Sequence, residues 1–317
     1  MMLRRTLLAA VAGTLLLAPP ASGQDWPTRP VTLVNPFSGG TDALLRLVAA
    51  HLSEKFGQPF IVENKPGGGG AVGAASVAKA APDGYTFLST ATGPAVLNKL
   101  LYKSIPYDPD DDFEPVILQS EAPQVIVSTP ALGFSRLQDL IEYGRANPGK
   151  LNIGHAGAGT TGHLAAAVLL TRAGIEGSLV GYRGAGPAVQ DVLGGQIQAA
   201  FPIYIGAVNS VTRLAVTSEH RVPFLPDVPT VRESGIDLVA TTWIGLVAPR
   251  GTPKEIILKV NAAADAYLKS DEGRSRFIAM GHVPLGGPPE RLTALMATEK
   301  ARWAPVIAAE KISLDQN

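Results

Sequence analysis

Short apolar runs alternate with longer segments of helical periodicity along most of this chain. The runs are rich in Val, Ile, Leu and Phe and end at glycine, proline or polar residues, which is typical of buried β-strands. The longer segments repeat apolar residues three and four positions apart, as amphipathic helices do. Strands are predicted at 31–37, 60–63, 85–89, 116–118, 125–128, 151–154, 178–182, 197–201, 214–217 and 243–248. Helices are predicted at 42–56, 71–80, 136–146, 163–173, 187–193, 254–268 and 289–309.

This alternation predicts an α/β fold in which parallel strands are covered by helices. A chain of 317 residues is longer than one compact core usually serves, so two domains are expected. Proline-rich connections at 106–115 and 223–229 are typical of places where a chain crosses between domains. We predict one domain from 24–124 plus 238–317 and a second from 125–237. Two crossings indicate a hinge, and a hinge implies a cleft.

The first residues have the organisation of a secretory signal peptide. Arg4 and Arg5 form a positive segment, 6–17 form an apolar one, and 21–23 supply small residues for cleavage. Residues 1–23 are therefore predicted to be removed on export, and the bacterial periplasm is the expected location. The apolar segment is too short to cross a bilayer comfortably. An uncleaved membrane anchor is the alternative.

The composition argues against several classes of function. Hydrophobic residues make up 46% and charged residues 17% of the chain, which is globular composition. Formal net charge is zero, and no basic stripe with interleaved aromatic residues is present, so no nucleic-acid partner is expected. The absence of cysteine excludes disulfides, thiol catalysis and cysteine-ligated metals.

A glycine-rich segment, LNIGHAGAGTTGHL at 151–164, follows a predicted strand and leads into a predicted helix. Gly157, Gly159 and Gly162 have the G-x-G-x-x-G spacing associated with pyrophosphate binding. A loop of this kind exposes unpaired backbone N–H groups at the positive end of a helix dipole. Such a site suits a carboxylate as well as a phosphate. The alternative is that the glycines serve only a tight turn.

The same spacing occurs a second time, at Gly68, Gly70 and Gly73, and a repeated match in a glycine-rich chain is weak support for a nucleotide site. Residues 64–67 separate this copy from its strand, whereas a dinucleotide fingerprint opens almost directly from the strand. For the copy at 157–162, the next strand ends at a tyrosine and an arginine where a ribose-binding acid is expected. An NADP site using the arginine at this strand end remains an alternative.

Three further small-residue loops follow predicted strands, at 37–42, 90–93 and 182–191. Asp42 is interpreted as a helix N-cap. Because ligands of doubly wound sheets bind beyond the carboxyl ends of the strands, the four loops are expected to converge on one small molecule.

No set of catalytic or metal-binding residues is recognisable. G-x-S-x-G and H-E-x-x-H are absent. His155 and His163 are eight positions apart with no carboxylate between them, which makes them poor metal ligands. His163 is interpreted as a structural or pocket-lining residue near the first turn of its helix. The aspartates at 108–112 are interpreted as a solvated acidic loop rather than a calcium site.

Several stretches, in this order, resemble the Bug-type extracytoplasmic solute receptors of tripartite tricarboxylate transporters. The resemblance extends from the mature N-terminus to the C-terminus. The stretches that carry it are WPTRPVTLVNPF, GQPFIVENKPGGGGAVGAASVAKAAPDGYTFL, LYKSIPYDPDDDFEPV, NPGKLNIGHAGAGTTGHLAA, YRGAGPAVQDVLGGQI, RLAVTS, LPDVPTVRESG and WIGLVAPRGTP.

The resemblance implies a type II periplasmic binding protein fold, with two Rossmann-like α/β domains around a central cleft. It implies a receptor, not an enzyme, that holds a small carboxylate through backbone N–H groups and hydroxyls and needs no cofactor. The carboxylates of the family include di- and tricarboxylates, acidic amino acids and aromatic acids. The expected partners are this ligand and membrane transport subunits, and the receptor is expected to be a monomer. The ligand-binding residues predicted from the loops and the resemblance are Phe37, Ser38, Gly39, Gly40, Thr41, Asp42, Thr90, Ala91, Thr92, His155, Ala156, Gly157, Ala158, Gly159, Thr160, Thr161, Gly184, Ala185, Pro187, Asp191 and Tyr204.

This chain departs from the family pattern beside the expected pocket. The first loop, PFSGGTD, is two residues shorter than usual, and the segment 198–210 is altered. Tyr204, in that segment, would suit an aromatic ligand or pack in the core. The specific carboxylate therefore stays open. The alternative functions are an exported nucleotide-dependent oxidoreductase and a sensor component that presents its ligand to a histidine kinase.

Overall fold

The computed structural model describes residues 26–37, 40–309 and 312–314. The predicted signal peptide and the loop residues Ser38 and Gly39 lie outside the described residues. Eleven strands are described, in two sheets. They are β1 (Val31–Asn35), β2 (Phe60–Asn64), β3 (Thr86–Ala91), β4 (Phe113–Pro123), β5 (Val125–Ser128), β6 (Leu151–His155), β7 (Gly177–Gly181), β8 (Ala199–Ala200), β9 (Thr212–Val216), β10 (Thr241–Pro249) and β11 (Val283–Pro284).

The first sheet has six strands in the order β11-β4-β10-β3-β1-β2. The prediction of parallel strands is confirmed for β1, which pairs in parallel with β2 and β3. It is wrong for β10, which runs antiparallel to β3 and β4. The reason is topological: β4 leads the chain out of this sheet and β10 brings it back, so the two must run in opposite directions. The short strand β11, for which no prediction was made, is also antiparallel to β4.

The second sheet has five strands in the order β7-β6-β8-β5-β9. Its β6 pairs in parallel with β7 and β8, whereas β5 is antiparallel to β8 and β9. The chain enters this sheet through Gln124, between β4 and β5. There the Gln124 side-chain amide donates a hydrogen bond of 2.7 Å to Thr242 Oγ1 on β10. The outgoing and returning strands are therefore tied together where they cross.

Nine α-helices are described over these ranges. They are α1 (Gly40–Phe56), α2 (Ala71–Ala78), α3 (Asn98–Leu101), α4 (Leu137–Ala146), α5 (Thr161–Ala173), α6 (Ala185–Leu193), α7 (Lys254–Lys269), α8 (Asp271–Ala279) and α9 (Pro289–Ala309). A π-helical turn, Gly93–Leu97, precedes α3, and a 3-10 turn, Gly68–Gly70, precedes α2. None of the described helices combines the length and the apolar composition that crossing a membrane requires.

The hydrophobic core extends across both sheets. One cluster of buried side chains joins Leu164 of α5 with Leu101 of α3 and with Trp303 of α9. In β1, Val31, Leu33 and Val34 are all buried, because helices cover both faces of the sheet around this strand. Beyond α9, the Leu314 amide donates a hydrogen bond of 3.0 Å to the Leu101 carbonyl. The two sheets therefore share packed side chains as well as the crossing strands.

Candidate ligand site between the two sheets

The loop after β1 meets the second glycine motif. A methyl group built on Gly70 would lie 3.3 Å from Phe37 Cε1 and 3.2 Å from Pro94 Cγ. Phe37, the 68–70 turn and the start of the π-helical turn therefore form one surface of the first sheet's domain.

That surface touches the glycine-rich loop of the second sheet. A methyl group built on Gly69 would lie 3.3 Å from the Ala158 carbonyl oxygen. One built on Gly93 would lie 3.3 Å from the Gly69 carbonyl oxygen and 3.6 Å from that of Gly159. The two glycine motifs of the sequence thus face each other, with backbone against backbone. We call this contact between Gly69, Gly93, Ala158 and Gly159 the interdomain contact.

Buried polar atoms without hydrogen-bond partners lie on segments of the first domain: Thr92 directly precedes Gly93 of this contact, and Thr41 lies in the first turn of α1. They include Thr41 Oγ1, Thr92 Oγ1 and Asn98 Oδ1, none of which has a partner among the described residues. Thr92 and Asn98 are both 0% exposed. Leaving such a group unpaired costs about 1–3 kcal/mol, so an unpaired buried group indicates a ligand or a water. Asn98 Oδ1 lies 3.5 Å from where methyl groups on Gly69 or Gly159 would stand.

Helix α5 begins at the glycine-rich loop. Thr160 is its N-cap: its hydroxyl accepts from the His163 amide at 3.3 Å and donates to the Gly157 carbonyl at 2.7 Å. The amides of Thr161 and Gly162, in the first turn, have no acceptor among the described residues. Two donors at the positive end of a helix thus remain available for an anion.

The two histidines at the ends of this loop lie side by side, although eight residues separate them. The centroids of the His155 and His163 rings are 4.5 Å apart. The Gly157 amide donates to His155 Nδ1 and the Gly159 amide to His163 Nδ1, each at 3.3 Å. Burial lowers the pKa of His155, and burial together with the neighbouring His155 lowers the pKa of His163 to about 4. Two of the loop amides predicted to bind the ligand therefore already have acceptors. Ala156, between the histidine and the first glycine, is half-buried in the same loop.

The loop after β7 lies beside the glycine-rich loop. A methyl group on Gly157 would stand 3.7 Å from the Tyr182 carbonyl oxygen. Gly184 caps α6 with φ +112°, and the helix begins at Ala185, so Pro187 lies in its first turn rather than in the loop. The Asp191 carboxylate accepts a hydrogen bond of 2.7 Å from the Tyr182 hydroxyl. Burial and this carboxylate raise the pKa of Tyr182 to about 12.

Two sequence-based details of the first sheet's loops are wrong. Helix α1 begins at Gly40, so Asp42 is in its first turn and is not the N-cap. Its carboxylate instead pairs with Arg46 at 2.7 Å, and this hydrogen bond lowers the pKa of Asp42. Thr90 and Ala91 belong to β3, not to a loop after it, because β10 continues the pairing as far as Ala91.

Tyr204 packs against other residues. Its ring centroid lies 5.1 Å from that of Phe224, and its ring also lies against Gly281. Asn209 Nδ2 donates to its hydroxyl at 3.0 Å. These contacts correspond to the packing alternative; a role in ligand binding stays a prediction.

Two of the aspartates at 108–112, Asp108 and Asp110, form ion pairs. Lys99 Nζ lies 2.6 Å from Asp108 and 2.7 Å from Asp110, and Lys300 lies 2.6 Å from Asp110. The lysine lowers the pKa of the Asp108 carboxyl. Across the described residues, no group of three or more His, Asp or Glu side chains is arranged to hold a metal ion.

Gly69 and Asn98 lie at the candidate site but were not predicted, whereas Gly93 ends the predicted 90–93 loop. The signal for Gly69 was present, since the second G-x-G-x-x-G match marks its turn. That match is weak as a nucleotide motif, and its glycines instead allow the close approach of two backbones. Asn98 follows a stretch without a strong helical pattern, so nothing in the sequence placed it beside both glycine loops.

Two α/β sheets joined by crossing strands, with loops from both meeting between them, define a two-domain solute-binding protein. The chain belongs to the tripartite tricarboxylate transporter family receptors (TctC), which it matches over residues 44–312. It is similar to Protein BugT of Bordetella pertussis, with 34% identity over 315 residues, covering 95% of this chain and 97% of BugT. The resemblance found in the sequence is thereby confirmed.

Solved structures agree with this assignment. The structure of R. palustris Rpa4515 with adipate has a TM-score of 0.87 and 38% identity, covering 91% of this chain and 99% of that one. MatC from Rhodopseudomonas palustris with bound malate has a TM-score of 0.82 and 33% identity, covering 89% of this chain and 100% of MatC. The predicted type II periplasmic binding protein fold is confirmed, and the family includes periplasmic binding proteins.

Proposed function

We propose that this protein captures a small carboxylate between its two domains and delivers it to the membrane subunits of a transporter. The observation that carries the proposal is the interdomain contact, where glycine-rich loops from both sheets meet near unpaired polar groups. Thr41, Thr92 and Asn98 contribute buried oxygens without partners, and Thr161 and Gly162 contribute free amides. The threonine hydroxyls and the two amides can donate to a carboxylate, whereas Asn98 Oδ1, an acceptor, can reach it only through a bridging water.

A carboxylate fits this site better than a nucleotide does. The glycine motif at 68–73 begins with a 3-10 turn separated from β2, so it lacks the strand-to-helix turn of a dinucleotide site. Beyond β7, the carboxylate of Asp191 is engaged by the Tyr182 hydroxyl rather than free for a ribose. Two relatives were solved with adipate and with malate, and both of these ligands are aliphatic dicarboxylates. We therefore place small aliphatic dicarboxylates first among the candidate ligands.

The family of this chain supports delivery to a transporter. Receptors of tripartite tricarboxylate transporters work with membrane subunits. We propose that this chain does so in the periplasm, after removal of residues 1–23, as a monomer. In this scheme the closed, ligand-bound form would be the one that the membrane subunits recognise.

A ligand screen tests the proposal. Purified mature protein is heated with a panel of dicarboxylates, tricarboxylates, acidic amino acids and aromatic acids, with NAD and NADP as comparison compounds. At least one carboxylate should raise the melting temperature, because a ligand that binds only the folded state stabilises it in proportion to the logarithm of its concentration over Kd. Stabilisation by NAD or NADP, with none by any carboxylate, would favour the oxidoreductase alternative.

A variant pair tests the location of the site. Replacing Gly159 by leucine places a side chain against Leu314 and Asn98, where even a methyl group would lie 3.1 and 3.5 Å from the nearest atoms. Gly174, at the other end of α5, has a similar φ of +63° and nothing within 4 Å, so Gly174→Leu is the matched control. Gly159→Leu should abolish carboxylate binding measured by calorimetry, while Gly174→Leu should leave it unchanged. Equal affinity in the two variants would place the site elsewhere.

A further inference from the structure

We propose that His155 and His163 are positioning residues for ligand binding: their imidazoles hold the 156–160 loop in the conformation that presents its free donors to the anion. This inference rests on the proposed carboxylate site. It assigns to the histidine pair a role distinct from touching the ligand, and it explains why two imidazoles lie under one loop.

The geometry begins with the amides that the rings accept. Gly157 donates to His155 Nδ1 and Gly159 to His163 Nδ1, each at 3.3 Å. These glycines have φ +133° and +75°, conformations that a loop of ordinary residues rarely adopts. Each unusual turn is thus held by one imidazole. The two rings support each other, with centroids 4.5 Å apart.

The loop is held only while both rings are neutral at Nδ1. A backbone N–H can donate to an imidazole nitrogen only if that nitrogen carries no proton, so each neutral ring carries its proton on Nε2. Protonation of Nδ1 would replace the acceptor by a second donor facing the amide. It would also place two cations side by side if both rings titrated. Burial, which lowers the pKa of both rings, keeps them neutral near pH 7.

The surroundings provide no counter-ion for a protonated pair. On β7, a methyl group built on Gly181 would stand 3.4 Å from His155 Cε1, so backbone covers that edge of the ring. On α6, the Asp191 carboxylate is engaged by the Tyr182 hydroxyl. Thr160, which caps α5 and bonds to the His163 amide, is uncharged. Among the described residues, neither ring is hydrogen-bonded to a carboxylate.

The backbone amides of this segment therefore have two different roles. Gly157 and Gly159 serve the imidazoles, whereas Thr161 and Gly162, at the N-terminus of α5, are free donors with no acceptor among the described residues. If the imidazole acceptors are removed, the glycine turns can relax and the free donors lose their fixed direction. Affinity for the anion should then fall without loss of any group that touches it.

The test compares an isosteric variant with one that removes the acceptor. Asparagine places its side-chain oxygen near the position of Nδ1, so His163→Asn keeps an acceptor for the Gly159 amide, whereas His163→Leu does not. His155→Asn and His155→Leu form the second pair. Leucine variants should bind the carboxylate found by the screen about tenfold more weakly or worse, and the asparagine variants within about threefold of the wild type.

Two further measurements separate positioning from general support of the fold. In ligand-free protein, hydrogen exchange at the Gly157 and Gly159 amides should accelerate in the leucine variants and not in the asparagine variants. Between pH 6 and pH 4, wild-type affinity should fall relative to that of His163→Asn, since titration of the ligand itself is common to both. Unchanged affinity and unchanged amide exchange in His163→Leu would overturn the inference.

Failure of the proposed function and failure of the histidine inference give different results. If the wild type binds no carboxylate, the proposed function fails, and the amide exchange still decides whether the imidazoles hold the loop. If a leucine variant does not fold, nitrogen NMR of the wild-type histidines decides instead. Unprotonated Nδ1 in both rings would support the inference, and a proton on either Nδ1 in the folded protein at pH 7 would overturn it.

Discussion

Gly69 is required at its position for two separate reasons. Its φ is +61°, and a methyl group there would stand 3.3 Å from the Ala158 carbonyl oxygen of the other domain. The first reason concerns the turn itself, and the second concerns the approach of two backbones across the interdomain contact. A substitution can therefore be matched with a control that shares only the first reason.

Gly133 provides that control, since it has φ +67° and nothing within 4 Å of an added methyl group. Gly69→Ala and Gly133→Ala should each lose about 1–2 kcal/mol of folding stability, the cost of a left-handed alanine. We expect only Gly69→Ala to weaken carboxylate binding as well, because only its methyl group crowds the contact that forms when the domains meet. Calorimetric titration of both variants measures this, and an equal loss of affinity in both would contradict it.

At the scale of the element, Thr160 stabilises helix α5, because its side chain joins the helix to the loop that precedes it. Its hydroxyl accepts from the His163 amide and donates to the Gly157 carbonyl. Removing an N-cap hydroxyl typically costs about 1 kcal/mol. Thr160→Ala should lower the free energy of unfolding by about this amount, measured by denaturant titration, whereas Thr160→Ser should be close to the wild type. Equal stability of the two variants would show that the hydroxyl is not the cap.

The sequence located most elements but placed several helix starts too late. Helix α5 was predicted to begin at 163 and α6 at 187, whereas both begin two residues earlier. Glycine, threonine and alanine at these starts carry no apolar periodicity, so the pattern begins only where larger residues appear. The segment 93–101 was missed as helix because its glycine and proline indicate a turn. Helix α8 was missed because its charged residues give no clear apolar face.

The individual loops of the candidate site were predictable from the sequence, but which loops contact each other was not. Strand ends and small-residue loops are local features, so Phe37, Thr92 and the 156–161 loop could be found from the sequence. Which loops touch depends on how the two domains approach each other, and no local pattern encodes the meeting of Gly69 with Ala158. The His155–His163 contact was missed for a different reason: the two residues are eight positions apart, and the sequence does not show that the glycine turn between them reverses the chain.

At the scale of the whole molecule, buried neutral imidazoles make the folded protein less stable as the pH falls. His282 is 1% exposed, its Nδ1 lies 3.1 Å from Ser120 Oγ, and burial lowers its pKa from 6.5 to about 4. Between these two values the unfolded chain binds a proton that the folded chain does not. Stability is therefore lost as pH falls from 6.5 to 4, by an amount on the order of 3 kcal/mol for this residue.

The prediction is checked by chemical denaturation at a series of pH values. The free energy of unfolding should decrease from pH 6.5 to pH 4 in the wild type, and the slope should be shallower in His282→Asn, which cannot titrate there. Carboxylates with lowered pKa, such as Asp42, contribute to the acid loss in both proteins and cancel in the comparison. Identical slopes would contradict the assignment of a buried neutral His282.

The central claim is that loops from two domains hold a carboxylate between them, and a structure of the complex tests it most directly. A crystal structure with the tightest carboxylate from the screen should place a carboxylate oxygen within hydrogen-bond distance of the Thr161 or Gly162 amide. The same ligand should contact the first domain near Thr92. A carboxylate bound instead in the cavity of about 210 Å³ lined by Arg172, Arg232 and Arg302 would contradict the account.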